Sequence, residues 1–165
     1  SVPIDFIGLF GVLAAANVRF VVVGGLAVLL HGIDRLTADV DLVVDLAPEA
    51  AARAVSALTE SGYRPLAPVA ALEFADPEKR AAWKRDRGMQ VFSFWDTRNV
   101  RPTVDVFLES PIPFDELWRD AVEMSVGSIS VRVASIEHLV RMKEAVARPQ
   151  DLADVARLRA KLGPR

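Results

Sequence analysis

Two aspartates stand at alternate positions where an apolar segment begins, and a third stands inside a similar segment further along the chain. Asp39 and Asp41 flank Val40 and precede Leu42, and Asp105 lies between two valines. In a strand, residues two apart point to the same face, so Asp39 and Asp41 share a face while their neighbours enter the core. Adjacent carboxylates repel unless a cation lies between them, and their oxygens are ligands for Mg²⁺ or Mn²⁺. The pattern predicts a divalent-metal site, with a solvated strand entrance as the alternative.

A pair of glycines earlier in the chain could form an anion-binding turn beside these acids. Gly24 and Gly25 end a β-branched run at 19–23 and lead into an apolar segment at 26–31. Glycine lets backbone N–H groups approach an anion, and a following helix presents the positive end of its dipole there. Phosphate at a glycine turn beside metal-bound carboxylates is a layout suited to phosphoryl or nucleotidyl transfer. An ordinary tight turn between strand and helix is the alternative.

The remaining pattern predicts an α+β fold, a small mixed β-sheet flanked by helices with further helices at the C-terminal end. Apolar periodicity and capping residues predict helices over 4–17, 26–31, 49–61, 114–124, 135–147 and 149–162. Strands are predicted over 19–23, 40–46, 63–66, 89–95, 103–108 and 128–133, the fourth and fifth forming a hairpin. No clear prediction emerges for 67–88. We expect a single domain over 1–165, with a core over about 17–134 and a C-terminal helical part over about 135–165.

Composition narrows the possible classes of protein. The chain has 165 residues, 52% of them hydrophobic, which is ample for a packed core. The formal net charge of -2 excludes a uniformly basic surface for nucleic acid, so a polyanion would need a local patch or a metal. Cysteine is absent, which excludes disulfides and thiolate sites. No apolar run is long enough to cross a membrane, and we expect no membrane partner and a cytoplasmic location.

The glycine pair, the acidic pair and the later aspartate occur in an order that resembles the nucleotidyltransferase superfamily related to DNA polymerase β. Its members carry a strand, Gly-Gly or Gly-Ser, a gap, an Asp-apolar-Asp/Glu-apolar motif and a third carboxylate on a later strand. Here thirteen residues separate the second glycine from the acidic pair. Among the branches of this superfamily, the arrangement of these motifs is most similar to that in the minimal nucleotidyltransferases. These include the AbiE-type toxins of bacterial toxin–antitoxin systems. The tail adds a Lys…Arg-x-x-Asp-x-x-Asp stretch similar to theirs, here Lys143, Arg148, Asp151 and Asp154.

That resemblance implies roles for particular residues. Asp39, Asp41 and Asp105 would hold Mg²⁺ or Mn²⁺, and Asp105 would help to deprotonate the attacking hydroxyl. The expected nucleotide-binding residues are Gly24, Gly25, Arg35, Thr37, Lys143 and Arg148. Many relatives carry serine at the second glycine position, whereas Gly25 offers only its backbone.

The implied activity is transfer of a nucleoside monophosphate from a nucleoside triphosphate such as ATP to an acceptor hydroxyl, with release of pyrophosphate. The acceptor could be a tRNA end, a protein or a small molecule. One rival is a nucleotide-binding or toxin–antitoxin protein that acts through contacts with a cognate partner protein, because fold does not fix function. A phosphohydrolase that uses the same acids is another.

Other polar residues have simpler interpretations. Arg35 could contact phosphate or neutralise Asp39 or Asp41. We expect His31 to close its helix, and Glu137 and His138 to serve the N-terminus of theirs.

Two charged segments carry further expectations. Asp151 and Asp154 are predicted to form salt bridges with Arg148 or Arg157 rather than to bind metal. The basic run at 79–87 is predicted to be a solvated helix or loop, and because it contains Trp83, contact of the run with a nucleic-acid acceptor is the alternative.

Overall fold

A computed structural model of the chain describes residues 4–163. The helices in this part are α1 (Phe6–Ala15), α2 (Gly24–Leu30), α3 (Pro48–Glu60), α4 (Pro77–Arg87), α5 (Phe114–Asp120), α6 (Ile136–Val146) and α7 (Pro149–Leu162), with a 3₁₀ helix at Ala71–Ala75. The strands are β1 (Phe20–Val23), β2 (Val40–Val44), β3 (Tyr63–Pro65), β4 (Val91–Asp96), β5 (Val104–Phe107), β6 (Val122–Val126) and β7 (Ile129–Val133). Among these residues no helix has the length and apolar character needed to span a membrane.

The strands form one mixed sheet in the order β3-β4-β5-β2-β1-β7-β6. Strands β1 and β2 are antiparallel neighbours at its centre, and each also pairs with a parallel strand, β7 and β5 respectively. Strands β4 and β5 form the antiparallel pair expected of a hairpin. The predicted α+β fold with a mixed sheet is confirmed.

The central strands explain why the acidic residues stand out in the sequence. All four residues of β1 are buried, and β2 has buried residues at every position except Asp41. Strands covered on both faces read as continuous apolar runs, because neither face meets water. A carboxylate inside such a strand therefore marks the place where the covering layer opens.

One predicted element is wrong in its second half. The helix expected over 114–124 ends at Asp120, and Val122–Val126 is instead the edge strand β6, which pairs antiparallel with β7. Val126 pairs with Ile129, so Gly127 and Ser128 form a two-residue turn, and Gly127 has a positive φ of 62°. Such turns suit the twist of a hairpin, and the backbone hydrogen bonds to β7 outweigh the helical spacing of the side chains.

The segment without a clear prediction contains the 3₁₀ helix and α4. Asp76 caps α4 by accepting a hydrogen bond from the Glu78 N–H at 2.9 Å. Trp83, in the basic run, is buried, and its ring stacks on Phe92 at 5.2 Å between centroids. The run therefore lies on the helix α4, as one of its two predicted forms, and the buried Trp83 is not available to stack on a base.

The other predicted boundaries need only small changes. The helix expected over 26–31 begins at the first glycine, and the strand expected over 40–46 ends at residue 44. The closing helices lie as predicted, with Ser135 capping α6 through a 3.1 Å hydrogen bond from the His138 N–H.

Candidate active site

Asp41 and Asp105 occupy directly opposed positions on the parallel strands β2 and β5. Residues paired in register point their side chains to the same face of the sheet, so the two carboxylates lie side by side. Asp41 is half-buried, and its pKa is raised to about 6. Burial is the largest cause, followed by the negative charges of Asp105 and Asp39, and the positive charge of Lys143 partly opposes them. The pair thus forms a region of concentrated negative charge at the sheet centre.

Asp39 lies in the bend immediately before β2 and is exposed. Its pKa is also raised, first by desolvation and then by the charge of Asp105. Within residues 4–163, the three side chains whose metal-ligand atoms all lie within 4.8 Å of one another are Glu116, Asp120 and His138. The three aspartates predicted as ligands are therefore brought to one region but form a more open set.

Ser93 belongs to this site, although the sequence analysis did not single it out. Ser93 on β4 pairs in register with Asp105, and its Oγ donates a hydrogen bond of 2.6 Å to Asp105 Oδ1. A hydrogen bond of this kind fixes the orientation of the carboxylate. The only sequence signal for Ser93 is that it is a small polar residue inside an otherwise apolar strand, opposite an acid that the hairpin aligns with it.

Gly24 lies directly over the Asp41 carboxylate. A Cβ added at Gly24 would lie 2.0 Å from Asp41 Oδ2, and the residue has a positive φ of 69°. Both facts require glycine here, because any side chain would occupy the space of the carboxylate and strain the backbone. Val23, which precedes it, pairs with Asp41 across β1 and β2. The end of β1 is thereby held against the acidic pair.

Gly25 faces the loop that leads into the acidic motif. A Cβ at this position would lie 3.0 Å from Arg35 Nε and 3.3 Å from Thr37 Oγ1. The Thr37 hydroxyl also donates a hydrogen bond to the Asp39 carbonyl at 3.2 Å. A side chain at this position would be in tight contact with Arg35 and Thr37, so the glycine lets both residues pack closely against the turn.

A chain of ion pairs borders the acidic pair on the side of α6 and α7. Lys143 Nζ lies 3.0 Å from Asp154 Oδ2 and 3.6 Å from Asp151 Oδ1, and all three side chains are buried. Arg35 also pairs with Asp154, and Arg148 pairs with Asp151 at 2.7 Å. Burial lowers the pKa of Lys143, with the nearby Arg35 charge as the next cause. These contacts place Lys143, Arg35 and Arg148 around the site as a cationic border, in which three cations exceed their two aspartate partners by one positive charge.

The ion pairs decide several earlier alternatives. Asp151 pairs with Arg148 as predicted, but Asp154 pairs with Lys143 and Arg35 rather than with Arg157. Arg157 instead donates a hydrogen bond to the Asp34 carbonyl at 2.9 Å, because the turn of α7 that carries it faces that loop. The alternative that Arg35 neutralises Asp39 or Asp41 is wrong as well, since its ion pair is with Asp154.

The two histidines lie outside the acidic pair. His31 follows the end of α2, and its Nε2 forms a 2.8 Å hydrogen bond with the Ala134 carbonyl, in keeping with the structural role predicted. His138 takes part in the N-terminus of α6, as predicted, through its backbone N–H. Only its backbone N–H is part of the cap, whereas its ring is buried against α5.

A cavity of about 540 Å³ adjoins the acidic pair. Its lining includes Gly24 and the polar or charged residues Asp41, Gln90, Arg141, Lys143, Arg148 and Asp151. The rest of the wall is largely apolar, with Val91, Phe107, Ile112, Met142 and Val146. A cavity lined by both charged and apolar residues suits a ligand that has a polyanionic part and a flat or apolar part.

Comparison with known proteins agrees with this geometry. Residues 8–162 match the family model described as nucleotidyl transferase AbiEii toxin, type IV toxin–antitoxin system. No individually curated protein sequence matches the chain.

Similar solved structures share the fold at low sequence identity. One is the lincosamide antibiotic adenylyltransferase LnuA with bound lincomycin (TM-score 0.60, 14% identity, 94% of each chain covered). Another is ANT(2″)-Ia in complex with adenylyl-2″-tobramycin (TM-score 0.58, 14% identity, 94% of this chain and 86% of that one). A third is a candidate nucleotidyltransferase from Thermotoga maritima (TM-score 0.55, 15% identity, 96% and 90% covered). The fold is that of a nucleotidyltransferase, and with a family model that spans nearly the whole chain, the protein belongs to the AbiEii nucleotidyl transferase toxin family.

Proposed function

We propose that the protein transfers a nucleoside monophosphate from a nucleoside triphosphate to an acceptor hydroxyl and releases pyrophosphate. The observation that carries this proposal is the in-register pair Asp41–Asp105 beneath a glycine that leaves room for no side chain. Membership of a nucleotidyl transferase family supports the reaction class. The cationic border formed by Lys143, Arg35 and Arg148 supports a polyanionic substrate.

The three aspartates fit a divalent cation. The pKa values of Asp39 and Asp41 are both raised, in part by the charges of their carboxylate neighbours, and a cation would relieve that repulsion. Asp39, Asp41 and Asp105 would hold Mg²⁺ or Mn²⁺, which share a preference for carboxylate oxygens. A metal bound there would neutralise phosphate charge and favour in-line displacement at the α-phosphorus.

The residues of the chain supply positioning and proton transfer. Asp105 accepts the proton of the attacking hydroxyl, and Ser93 holds its other oxygen so that the carboxylate keeps one orientation. Lys143 and Arg148, which line the cavity, bind the triphosphate, with Arg35 and Thr37 behind Gly25. The apolar lining residues of the cavity contact the nucleobase or an apolar part of the acceptor. Binding of both substrates there makes the reaction effectively unimolecular.

The proposed reaction requires a donor and an acceptor, and membership of the family adds a protein partner. The donor is a nucleoside triphosphate, with ATP as the first to test. The acceptor is a tRNA end, a protein hydroxyl or a small molecule. The adenylyltransferases of similar fold are named for or bound to antibiotics, which makes a small-molecule acceptor worth including. The family's place in toxin–antitoxin systems supports a cognate antitoxin as a partner protein. We place the protein in the cytoplasm, where nucleoside triphosphates are abundant.

The test follows the label of an α-³²P nucleoside triphosphate. The wild-type protein is incubated with Mg²⁺ and with three acceptor pools in turn: total tRNA, cell protein and small molecules. With one of the pools, we expect the label on the acceptor and an equal amount of unlabelled pyrophosphate in solution. Both products should be lost in Asp41→Asn and in Asp105→Asn. Asp115→Asn, whose side chain is 97% exposed on α5, is the matched control and should retain activity. Release of free nucleotide or phosphate without acceptor would indicate a phosphohydrolase. Equal activity in the wild type and Asp41→Asn would contradict the proposal.

A further inference from the structure

A second cluster of metal-ligating side chains lies between α5 and α6. Glu116 and Asp120 are four residues apart on α5 and so lie on the same face of that helix. His138 comes from the first turn of α6. One ligand atom from each of the three residues lies within 4.8 Å of the other two. The cluster shares no residue with the aspartates of the candidate active site.

The His138 ring is buried and lacks the hydrogen bonds that would explain its position. Only 4% of the residue is exposed, and its Nδ1 is buried without a hydrogen-bond partner. Its Nε2 points at the two carboxylates, 3.5 Å from Glu116 Oε1 and 3.8 Å from Asp120 Oδ2. Charge-assisted N–H···O bonds are about 2.7–2.9 Å long, so both contacts are too long for the histidine to be held by them. The ring is held near the acids by burial.

The same distances suit ligands of one metal ion. Zinc bonds of about 2.0–2.2 Å at tetrahedral angles put neighbouring ligand atoms about 3.3–3.6 Å apart. The Nε2–Glu116 separation lies in that range, and the Nε2–Asp120 separation is slightly above it. A neutral imidazole and two carboxylates also balance the charge of a divalent ion, and imidazole favours transition metals over Mg²⁺. We propose that Glu116, Asp120 and His138 form a binding site for a divalent transition-metal ion, represented by Zn²⁺.

Two arginines contact the carboxylates of this cluster and would have to move when a metal ion binds. Arg141 Nη1 lies 3.4 Å from the same oxygen of Glu116, and Arg119 pairs with Asp120 at 3.0 Å. Both arginine side chains are more than half exposed, so they can swing into solvent when a metal replaces them. The positive end of the α6 dipole opposes a cation, and the two carboxylates offset it. A bound metal would tie α5 to the helix that carries Lys143, and would connect metal supply to the candidate active site.

The test uses the imidazole nitrogens, because the chain has two histidines. Zn²⁺ is titrated into ¹⁵N-labelled protein in excess Mg²⁺, and long-range ¹H–¹⁵N spectra follow both rings. We expect His138 Nε2 to move to a metal-bound shift at stoichiometric Zn²⁺, while His31, which is hydrogen-bonded to Ala134, stays unchanged. A His138 ring that is unmoved by excess Zn²⁺, or a shift shared equally by both rings, would overturn the site.

Variants on α5 provide a matched comparison. Asp120→Asn removes one ligand at a side chain that is 42% exposed, so the fold should be retained. We expect it to weaken Zn²⁺ affinity at least tenfold, whereas Asp115→Asn on the same helix should leave it unchanged. Equal affinities in the two variants would also overturn the site. Because the readout is Zn²⁺ binding at His138, a negative result leaves the proposed nucleotidyl transfer untouched, and a failure of that activity leaves this site untouched.

Discussion

Gly24 and Asp41 are so close that a single methyl group on the glycine would lie 2.0 Å from the Asp41 carboxylate oxygen. This contact joins the two motifs that the sequence separates, the glycine pair and the acidic pair. The contact arises because Val23 and Asp41 are paired across β1 and β2. The next residue, Gly24, therefore lies against the Asp41 side chain.

Gly24→Ala should reduce turnover about a hundredfold, because the new methyl group displaces the Asp41 carboxylate by enough to misplace the substrate. The substitution should also cost about 1–2 kcal/mol of unfolding free energy for the positive φ. Steady-state kinetics and urea unfolding measure the two effects.

Gly88→Ala is the matched control for this change. Gly88 has a similar φ of 63°, but nothing lies within 4 Å of its added Cβ. It should lose similar stability and keep full activity. Equal activity losses in the two variants would show that backbone strain, rather than contact with Asp41, is responsible.

Ser93→Ala should lower kcat about tenfold with little change in KM. The hydroxyl orients Asp105, and a tenfold loss corresponds to about 1.4 kcal/mol of transition-state stabilisation. Stability should change little, because the carboxylate that loses its partner is half-buried and can meet water. Ser130→Ala, at an exposed position of β7, is the control. If both alanine variants have wild-type kcat, Ser93 has no positioning role.

The raised pKa of Asp41 predicts a pH dependence of stability in the metal-free protein. A folded-state pKa of about 6 exceeds the unfolded value of 3.8, so between these values the folded state binds more protons. The contribution of Asp41 to the free energy of unfolding therefore becomes unfavourable as the pH rises from about 4 to about 6. It remains unfavourable above that range. Asp41→Asn should gain stability relative to the wild type at pH 7.5 but not at pH 4. Urea unfolding with a chelator at both pH values measures the difference, and a pH-independent difference would refute the assignment.

Asp154→Ala should reduce the free energy of unfolding by about 3 kcal/mol, because it leaves Lys143 and Arg35 without a shared, buried partner. Lys143 keeps its contact with Asp151, which limits the loss. Asp115→Ala, at a fully solvated side chain, should change stability by less than about 0.5 kcal/mol. Similar stability in the two variants would mean that the ion-pair chain does not hold α7 in place.

Much of the fold was predictable because its signals are local. The β-branched run before Gly24 and the alternation around Asp41 and Asp105 identify buried strands, and Ser135 and Pro149 correctly indicate where the last two helices begin. Strand β6 was missed because its residues also fit helical spacing, although Gly127 and Ser128 carry a hairpin signal that could have revealed it.

The contacts within the site were harder to predict, because they depend on register between distant strands. Ser93 gains its meaning only from the pairing of β4 with β5. Arg35 has two plausible carboxylate partners close in sequence, yet it pairs with Asp154 on the last helix. His138 fits a capping position by sequence, and only the packing of α5 on α6 shows that its ring faces Glu116 and Asp120.

We expect Asp39 and Asp41 to bind a nucleoside triphosphate together with a divalent metal. This binding can be measured by the thermal unfolding midpoint with each of the four triphosphates and Mg²⁺ or Mn²⁺, in the wild type and in Asp39→Asn/Asp41→Asn. At least one triphosphate should raise the midpoint of the wild type in a metal-dependent way and leave the double variant unshifted, since a ligand that binds only the folded state stabilises it. Equal shifts in both proteins, or no shift with any triphosphate, would show that these two aspartates do not form the site.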